Sequence, residues 1–413
     1  FRRVLFRSKS GNGNVDGNDN IMLGQYAGTN NTCGNYNVML GSCAGWANTS
    51  GHNNTFLGEN TGFCTTTGNH NFAVGQSAGY NNTTGSNNTF IGQSVGRANT
   101  TGVKNIFIGQ SAGSCNTTGS QNIYLGAYTG RCNIDGGYNF MAGTSAGRNS
   151  THGWYNNFIG YCAGASNTTG ESNNFIGAHA GKSNTTGYHN NFLGKYTGES
   201  NTTGRYNNFF GNQAGQCNTS GWYNNFIGFR AGRYNTTGCQ NTFIGKAAGC
   251  NNTTGENNIL IGWGAGVSSC GGLASITTEC NRIIIGNSSH TCAQIQVGWT
   301  TVSDIRDKCV FGTVPHGRGF LEGLSPIEFA FKDRETGCLI DPEGKKRYGF
   351  SAQEILSLEG DKPVIASVED PNKLQITSDY LVPVLVNAVK ELSAELEALK
   401  AKVAVLEIGR AHV

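Results

Sequence analysis

The sequence predicts a mainly β chain in which a trimeric β-solenoid, or β-roll, of 17-residue repeats precedes a small α+β domain that ends in a coiled-coil helix. Three observations support this prediction. A glycine recurs every 17 residues from Gly24 to Gly262 without insertion or deletion. All six prolines lie after residue 302, where the composition becomes that of an ordinary folded domain. Apolar residues near the C-terminus recur at alternating intervals of four and three residues, which is the pattern of a coiled coil.

The sequence of the repeat unit predicts a solenoid. Each unit reads nearly the same, as in Asn157–Gly160, Ala163–Gly164 and Asn167–Gly170. Such strict spacing is typical of stacked units that bury an apolar face only against their neighbours, whereas the loops of a globular enzyme vary in length. Short apolar runs between Gly, Asn and Thr turn residues predict two very short strands and two tight turns per repeat. We expect columns of Phe and Ile or Leu inside the solenoid and columns of Asn and Thr outside.

The thin core of each repeat predicts association. A rung of about three apolar side chains offers little burial against the conformational entropy lost by ordering its backbone. We therefore expect three chains to pack around one axis. They could do so as three parallel rolls or as an intertwined β-helix.

Composition excludes several classes of function. The net charge is +3 on 413 residues, so we expect no nucleic-acid partner and no charged membrane-surface partner. The sequence has no apolar stretch near 18 residues, so we expect no membrane insertion. The 14 cysteines lack the paired spacing of zinc sites. We expect reduced, packed thiols, with disulfides between rungs or chains as the alternative, and neither a metal nor a cofactor.

The chain divides into segments of different character. Val4–Ser8 and Ile408–Val413 resemble translated sequencing adapter, so we expect residues 1–8 and 408–413 not to belong to the natural protein, which is expected to extend further on its N-terminal side. We assign the rest to a repeat shaft at 9–266, a connector with the last strands at 267–302, a second domain at 303–384 and a coiled coil at 385–407. The connector includes a last rung at Ile283–Gly286, whose glycine follows Gly262 by 24 residues, and a strand at Gln294–Val297.

A serine and a lysine five residues apart, Ser303 and Lys308, form a candidate nucleophile and base. Lysine acts as a base only where burial or a nearby cation favours its neutral form, and Arg306 is the nearest candidate cation. Five residues do not place two side chains on one helical face. The pair therefore requires a turn or the end of a strand, and the spacing alone carries little weight.

The segments that follow this motif resemble a known family. In order they are Gly319–Pro326, Phe329–Phe331, Tyr348–Glu354, Tyr380–Leu385 and Ala388–Leu392. Over residues 303–407 the chain resembles the endosialidase-type intramolecular chaperone, the C-terminal self-processing domain of phage tail fibres and spikes. The Asn-Thr-Thr-Gly repeats are similar to arrays in tail-fibre-like proteins of environmental phages and to the heads of trimeric autotransporter adhesins.

The resemblance implies a self-cleaving serine peptidase that acts once, on its own chain. By motif position, Ser303 and Lys308 form a Ser-Lys dyad that cuts the bond between Val302 and Ser303 after three chains have assembled. Asp304 and Arg306 match the motif as residues that hold the turn. Attack by Ser303 of the same chain and attack by a serine of a neighbouring chain both stay open.

The motif also departs from the family pattern. Many members have leucine where Asp307 stands, and an Asn-Ile pair where this chain has Cys309 and Val310. An acid beside a lysine favours the protonated amine. We therefore expect a slower cleavage rather than none.

A heptad pattern at the C-terminus predicts a parallel trimeric coiled coil, independently of any family. Its flanking positions carry Glu and Lys. The alternative is an amphipathic helix that packs on its own domain. The predicted seam consists of Leu385, Val389, Leu392, Leu396, Leu399, Val403 and Leu406.

These observations lead to one expectation and two alternatives. We expect a homotrimeric tail fibre or spike segment of a virion that attaches to a host cell-surface receptor, with a glycan as the expected ligand. The alternatives are a bacterial trimeric surface adhesin and a structural spacer with a trimerisation domain that does not cleave. Aromatic residues in the turns could stack on sugars or fill a seam between chains. They are Trp46, Trp154, Tyr155, Trp222 and Tyr223.

Overall fold

The 17-residue period of the sequence is also the period of the backbone. The structure, a computed structural model, describes residues 4–6, 9–268, 275–290, 303–332, 337–339, 344–368 and 374–411. The chain divides into two units, Phe1–His290 and Thr291–Val413.

The first unit is a β-solenoid, as predicted. Among its described residues, three-residue strands form one 17-stranded sheet in which each strand pairs in parallel with the next along the chain. Phe158 pairs with Phe175 and Phe175 with Phe192, so that equivalent residues of successive repeats lie in register. The strands are β1 Val4–Phe6, β2 Ile21–Leu23, β3 Val38–Leu40, β4 Thr55–Leu57, β5 Phe72–Val74, β6 Thr89–Ile91, β7 Ile106–Ile108, β8 Ile123–Leu125, β9 Phe140–Ala142, β10 Asn157–Ile159, β11 Asn174–Ile176, β12 Asn191–Leu193, β13 Asn208–Phe210, β14 Asn225–Ile227, β15 Thr242–Ile244, β16 Ile259–Ile261 and β17 Ile283–Ile285.

One further strand pairs with the array at each of its ends. β1 lies within residues 1–8, which were expected not to belong to the natural protein. Its backbone pairs with β2 as one more rung. β16 pairs with β17 across a 24-residue step, with Leu260 opposite Ile284, which confirms the predicted last rung. The strand predicted at Gln294–Val297 lies outside the described residues.

Each repeat contains one strand rather than the two predicted. Four residues of a single repeat have left-handed backbone, namely Gly177 (φ +135°), His179 (φ 61°), Gly181 (φ 54°) and His189 (φ 54°). These residues bend the chain so often that only three residues per repeat form a strand. A Cβ atom on Gly177 would lie 2.5 Å from the carbonyl oxygen of Gly194. Only glycine combines that φ with so close an approach of the next rung.

In most rungs the interior holds one large and one small apolar side chain, although Ala73 takes the large position in one rung and Thr replaces the small residue in three. The middle residue of each strand from β2 to β17 points inward, and Phe158, Phe175 and Phe192 are fully buried with ring centroids 4.8–4.9 Å apart. Ala180 represents the second buried column. The predicted inner column of Ile and Leu is wrong, because successive residues of a strand face opposite sides. The third residue of each strand from β2 to β17, such as Ile176, is partly exposed on the outer surface.

The predicted outer columns were right for Thr but only partly right for Asn. Thr168 is partly exposed and donates to the carbonyl of Thr185 at 3.0 Å. By contrast, two columns of Asn are buried. Asn173 donates its Nδ2 to the carbonyl of Gly187 at 2.8 Å, and its Oδ1 accepts from the backbone N–H of Asn190 at 3.0 Å. These amides satisfy backbone groups that the turns leave unpaired inside the rung.

The second Asn column runs beside the first. Asn184 donates both to the carbonyl of Gly187 at 2.9 Å and to Oδ1 of Asn167 at 2.8 Å. The column is interrupted at Thr65 and Ser150. At the second interruption, the buried Oδ1 of Asn133 and the buried Oγ of Ser150 have no hydrogen-bond partner among the described residues.

The Ser150→Asn variant is expected to stabilise the solenoid. It restores the donor that Oδ1 of Asn133 lacks, and an unsatisfied buried polar group costs about 1–3 kcal/mol. The midpoint of denaturant unfolding should rise. The control is Ser200→Asn, a partly exposed position at which other repeats already carry Asn, including Asn149. An unfolding midpoint at or below that of the control would contradict this account of the column.

The second unit is smaller and mixed. Its core contains Phe320, Ile355, Ile365, Ala366, Leu381 and Val384. Its described elements are a 3-10 turn at Ile305–Asp307, α1 Arg318–Glu322, β18 Ile327–Phe329, β19 Arg347–Gly349, α2 Ala352–Glu359, β20 Ala366–Ser367, β21 Gln375–Ile376, a 3-10 turn at Ser378–Tyr380 and α3 Leu381–Ala411. The pairs β18–β19 and β20–β21 are antiparallel.

The C-terminal helix begins before the predicted coiled coil. α3 starts at Leu381 rather than at residue 385, and Pro383 lies in its first turn, where its missing N–H costs nothing. Leu381, Val384 and Ala388 are buried against the rest of the unit. The helix continues to Ala411 and so includes residues beyond 407 that the sequence set apart. No helix among the described residues has the length and apolarity needed to cross a membrane.

The predicted seam lies on another face of α3. Its seven residues, from Leu385 to Leu406, are 45–68% exposed. At about 100° per residue, the seam is about a quarter turn around the helix from the buried face. The first turns of α3 therefore pack on their own unit, whereas the seam is open in the single chain.

Candidate active site

A short turn brings Ser303 and Lys308 together. Ile305–Asp307 form a 3-10 turn that begins after Asp304, whose carboxylate accepts from the backbone N–H of Arg306 at 2.9 Å. The turn closes where the backbone N–H of Lys308 donates to the carbonyl of Ile305 at 3.2 Å. The serine before the turn and the lysine after it consequently face each other.

The two side chains are in direct contact. Nζ of Lys308 donates to Oγ of Ser303. This is the turn that the five-residue spacing required, and it pairs a hydroxyl nucleophile with a nitrogen that can take its proton. Both side chains are exposed in the single chain. Val302, which would carry the carbonyl under attack, lies outside the described residues.

Asp304 and Arg306 form an ion pair across the turn. Nε of Arg306 donates to both carboxylate oxygens of Asp304, at 3.1 and 3.0 Å. These hydrogen bonds lower the pKa of Asp304 and raise the pKa of Arg306. Because the folded pKa of Asp304 is depressed, its contribution to the turn is complete above the ordinary carboxyl pKa of about 3.9 and is lost only as the pH falls below it. The guanidinium of Arg306 is thereby compensated by Asp304.

The surface beside this pair is strongly apolar, which sequence reasoning missed. Ile305 is 66% exposed, Val310 68% and Phe311 96%. Large apolar side chains at this exposure are typical of surfaces that another chain covers. The run from Cys309 to Phe311 was the only sequence signal.

A second candidate site lies on the solenoid. Tyr138 and Tyr155 stack at 5.1 Å, and His189, Tyr206 and Tyr223 continue the same column with separations of 5.1 and 4.8 Å. Four of the five aromatic residues predicted from sequence belong to this cluster, together with the neighbouring rings. They are Trp154, Tyr155, Trp222 and Tyr223.

The aromatic column has one gap. The rung between Tyr155 and His189 carries Glu171 and Ser172 in place of rings. Ser172 donates its backbone N–H to Trp154, and His189 donates to Glu171, so the three rungs are successive. The gap is therefore one rung high, with an aromatic face on either side and an exposed carboxylate at its rim. Trp46 lies apart, in a separate stack with Phe63 and Tyr80.

Cysteines and metal ligands form no further site within the described part of the chain. Ten of the described cysteines are free thiols, including Cys115 and Cys132 on adjacent rungs. Burial raises the pKa of Cys64, Cys132 and Cys217. Among the described residues, no three His, Cys, Asp or Glu side chains lie close enough together to hold a metal ion.

No family model, no curated protein and no solved structure matches the chain.

Proposed function

We propose that the chain is a segment of a homotrimeric phage tail fibre or spike whose C-terminal domain assembles three chains and then cuts itself off. The observation that carries this proposal is the hydrogen bond between Ser303 and Lys308 inside a capped turn. The resemblance of residues 303–407 to the endosialidase-type intramolecular chaperone supports it. The cut lies between Val302 and Ser303.

The proposed cleavage is an acyl shift followed by hydrolysis. Lys308 takes the proton from Oγ of Ser303 as that oxygen attacks the carbonyl carbon of Val302. The bond from this carbon to the nitrogen of Ser303 breaks, and the proton passes from Lys308 to the departing amine. An ester links the two residues until water hydrolyses it. In the alternative route, a serine of a neighbouring chain makes the same attack.

Assembly would switch this chemistry on. A lysine acts as a base only in its neutral form, which removal from water favours. Lys308 is exposed in the single chain, beside the exposed Val310 and Phe311. Two further chains packed over these side chains would exclude water from the pair. Cleavage would then follow trimerisation rather than precede it.

The proposed need for a chaperone follows from the repeat. A 17-residue unit can pair with a neighbouring chain slipped by one whole unit and still bury most of its surface. A trimeric clamp beyond the array sets one register, and the open seam of α3 from Leu385 to Leu406 is suited to this role. Removal of the clamp would leave an assembled shaft that unfolds only slowly.

The proposed receptor-binding surface is the aromatic cluster. Tyr155 is 60% exposed and Tyr223 52%, and exposed aromatic rings offer large apolar area next to polar groups. The carboxylate of Glu171 could accept hydrogen bonds from sugar hydroxyls in the gap. We propose a host cell-surface glycan as the ligand and the virion as the location. A bacterial surface adhesin, or a spacer without cleavage, is the alternative.

A denaturing gel with intact-mass analysis tests the proposal. The wild-type chain should give two fragments that meet between Val302 and Ser303, and Ser303→Ala should give one uncut chain. Ser357→Ala, at an exposed position of α2, is the control and should be cut like the wild type. An uncut wild-type trimer would favour the non-cleaving adhesin or spacer. An uncut monomer would overturn the proposal.

A further inference from the structure

The outward side of the solenoid strands forms one continuous surface. We define the outer strand face as the first and third residues of strands β2 to β17. The third residue is Ile, Leu, Val or Phe in every rung except at Ala142. These side chains are partly exposed in the single chain, for example Leu23 at 41%, Ile108 at 38% and Ile227 at 39%.

The outer strand face is free of charge. Its strands contain no Asp, Glu, Lys or Arg at the first or third position. The same rungs carry charges on other sides, such as Lys195, Glu199 and Arg205. A solenoid side that faces water would have no reason to exclude charge over so many rungs. The face therefore has the composition of a buried surface.

The face is large enough for a stable contact. With strands about 4.8 Å apart and about 3.3 Å per residue, it is about 70 Å long and about 10 Å wide, an area on the order of 700 Å². A stable interface buries about 800 Å² per partner. The column of third positions is apolar along the whole length of the face, and continuous exposed apolar patches on single chains mark contact surfaces.

The partner that fits this face is a second copy of the same chain. Its side chains repeat at the strand spacing over sixteen rungs, and a copy that lies parallel presents the same spacing. Every described rung also pairs its backbone with the next rung of its own chain. The described strands have no free edge along the shaft, so a neighbour can approach only through side chains.

We propose that three solenoids pack side by side around a common axis through the outer strand face. This inference rests on the proposed trimer and adds the surface that holds the shaft together. It selects three parallel rolls over an intertwined β-helix. Asn157, Asn174 and Asn191, which link their amides along the first position at 2.9 and 2.8 Å, would lie at the border of the contact.

Photo-crosslinking of the full chain tests this placement. Ile176 is replaced by p-benzoyl-phenylalanine, which its column tolerates because Phe210 stands there in another rung. The control places the same residue at Lys182, in the column of Trp46, Phe63 and Tyr80. After irradiation, the first protein should give covalent dimers and trimers on a denaturing gel. The control should give only uncrosslinked chain.

Sedimentation of the wild-type chain separates the two ways of failing. A wild-type trimer with no adducts from position 176, or with adducts from position 182 instead, would show that the outer strand face is not the contact. The proposed trimer itself would not be affected by this result. A wild-type monomer would remove the proposed trimer, and this inference with it. Circular dichroism identical to the wild type shows that each substituted protein has folded.

Discussion

The Lys308→Met variant is expected to stay uncut while the wild-type chain is processed. Methionine keeps much of the length of the lysine side chain but has no nitrogen to take the proton of Ser303. A positioned general base typically accelerates such a step by about 10²–10⁴-fold. The measurement is the fraction of cut chain against time on a denaturing gel.

The Lys308→Arg variant separates a base from a structural contact. Arginine can still donate to Oγ of Ser303, but its guanidinium does not deprotonate in proteins. If Lys308 merely holds the turn, the Lys308→Arg variant would be cut at nearly the wild-type rate. If it is the base, the Arg and Met variants should both stay uncut. Lys346→Met, at an exposed lysine paired with Glu328 at 3.0 Å, is the control and should not change the rate.

The period of the array was predictable because it depends on backbone alone. At Gly177 the φ angle and the close approach of Gly194 allow only glycine. A glycine is therefore required once in every rung, and its spacing in the sequence equals the length of the repeat. The 24-residue step to Gly286 was visible for the same reason. A backbone position at which only glycine fits can be recognised from the sequence.

The inside and outside of the rung were less predictable. A pair such as Phe175 and Ile176 shows that one of the two residues faces inward but not which one. Polarity misled the assignment of Asn173, because a closed rung leaves buried backbone groups that only an amide satisfies. The propensities of single residues do not show that buried backbone groups need an amide side chain as a partner.

The contact between Ser303 and Lys308 was predictable from the sequence, but the exposed apolar surface next to it was not. The sequence indicated that Ser303 and Lys308 need a turn, and the structure places them on one. The exposure of Val310 and Phe311 depends on tertiary packing, which the short apolar run in the sequence does not reveal by itself. The start of α3 at Leu381 was missed because the heptad pattern begins only at Leu385, whereas the first turn of the helix packs on its own unit.

The Asn173→Asp variant is expected to destabilise the solenoid by several kcal/mol at neutral pH. The carboxylate cannot donate to the carbonyl of Gly187, and it is buried without a cation beside it among the described residues. A buried unsatisfied group costs about 1–3 kcal/mol, and a buried charge costs more. The loss should appear as a lower midpoint of denaturant unfolding.

The pH dependence of this variant identifies the cause. Burial raises the pKa of a carboxyl, so folding favours its protonated form. The destabilisation should therefore grow as the pH rises above about 4 and shrink as the pH falls, because the protonated acid can again donate to Gly187. Asn173→Leu has no charge and should be destabilised without this pH dependence. Asn149→Asp, at an exposed position, should unfold near the wild-type midpoint, and an equal midpoint for Asn173→Asp would show that the buried amides do not hold the rungs together.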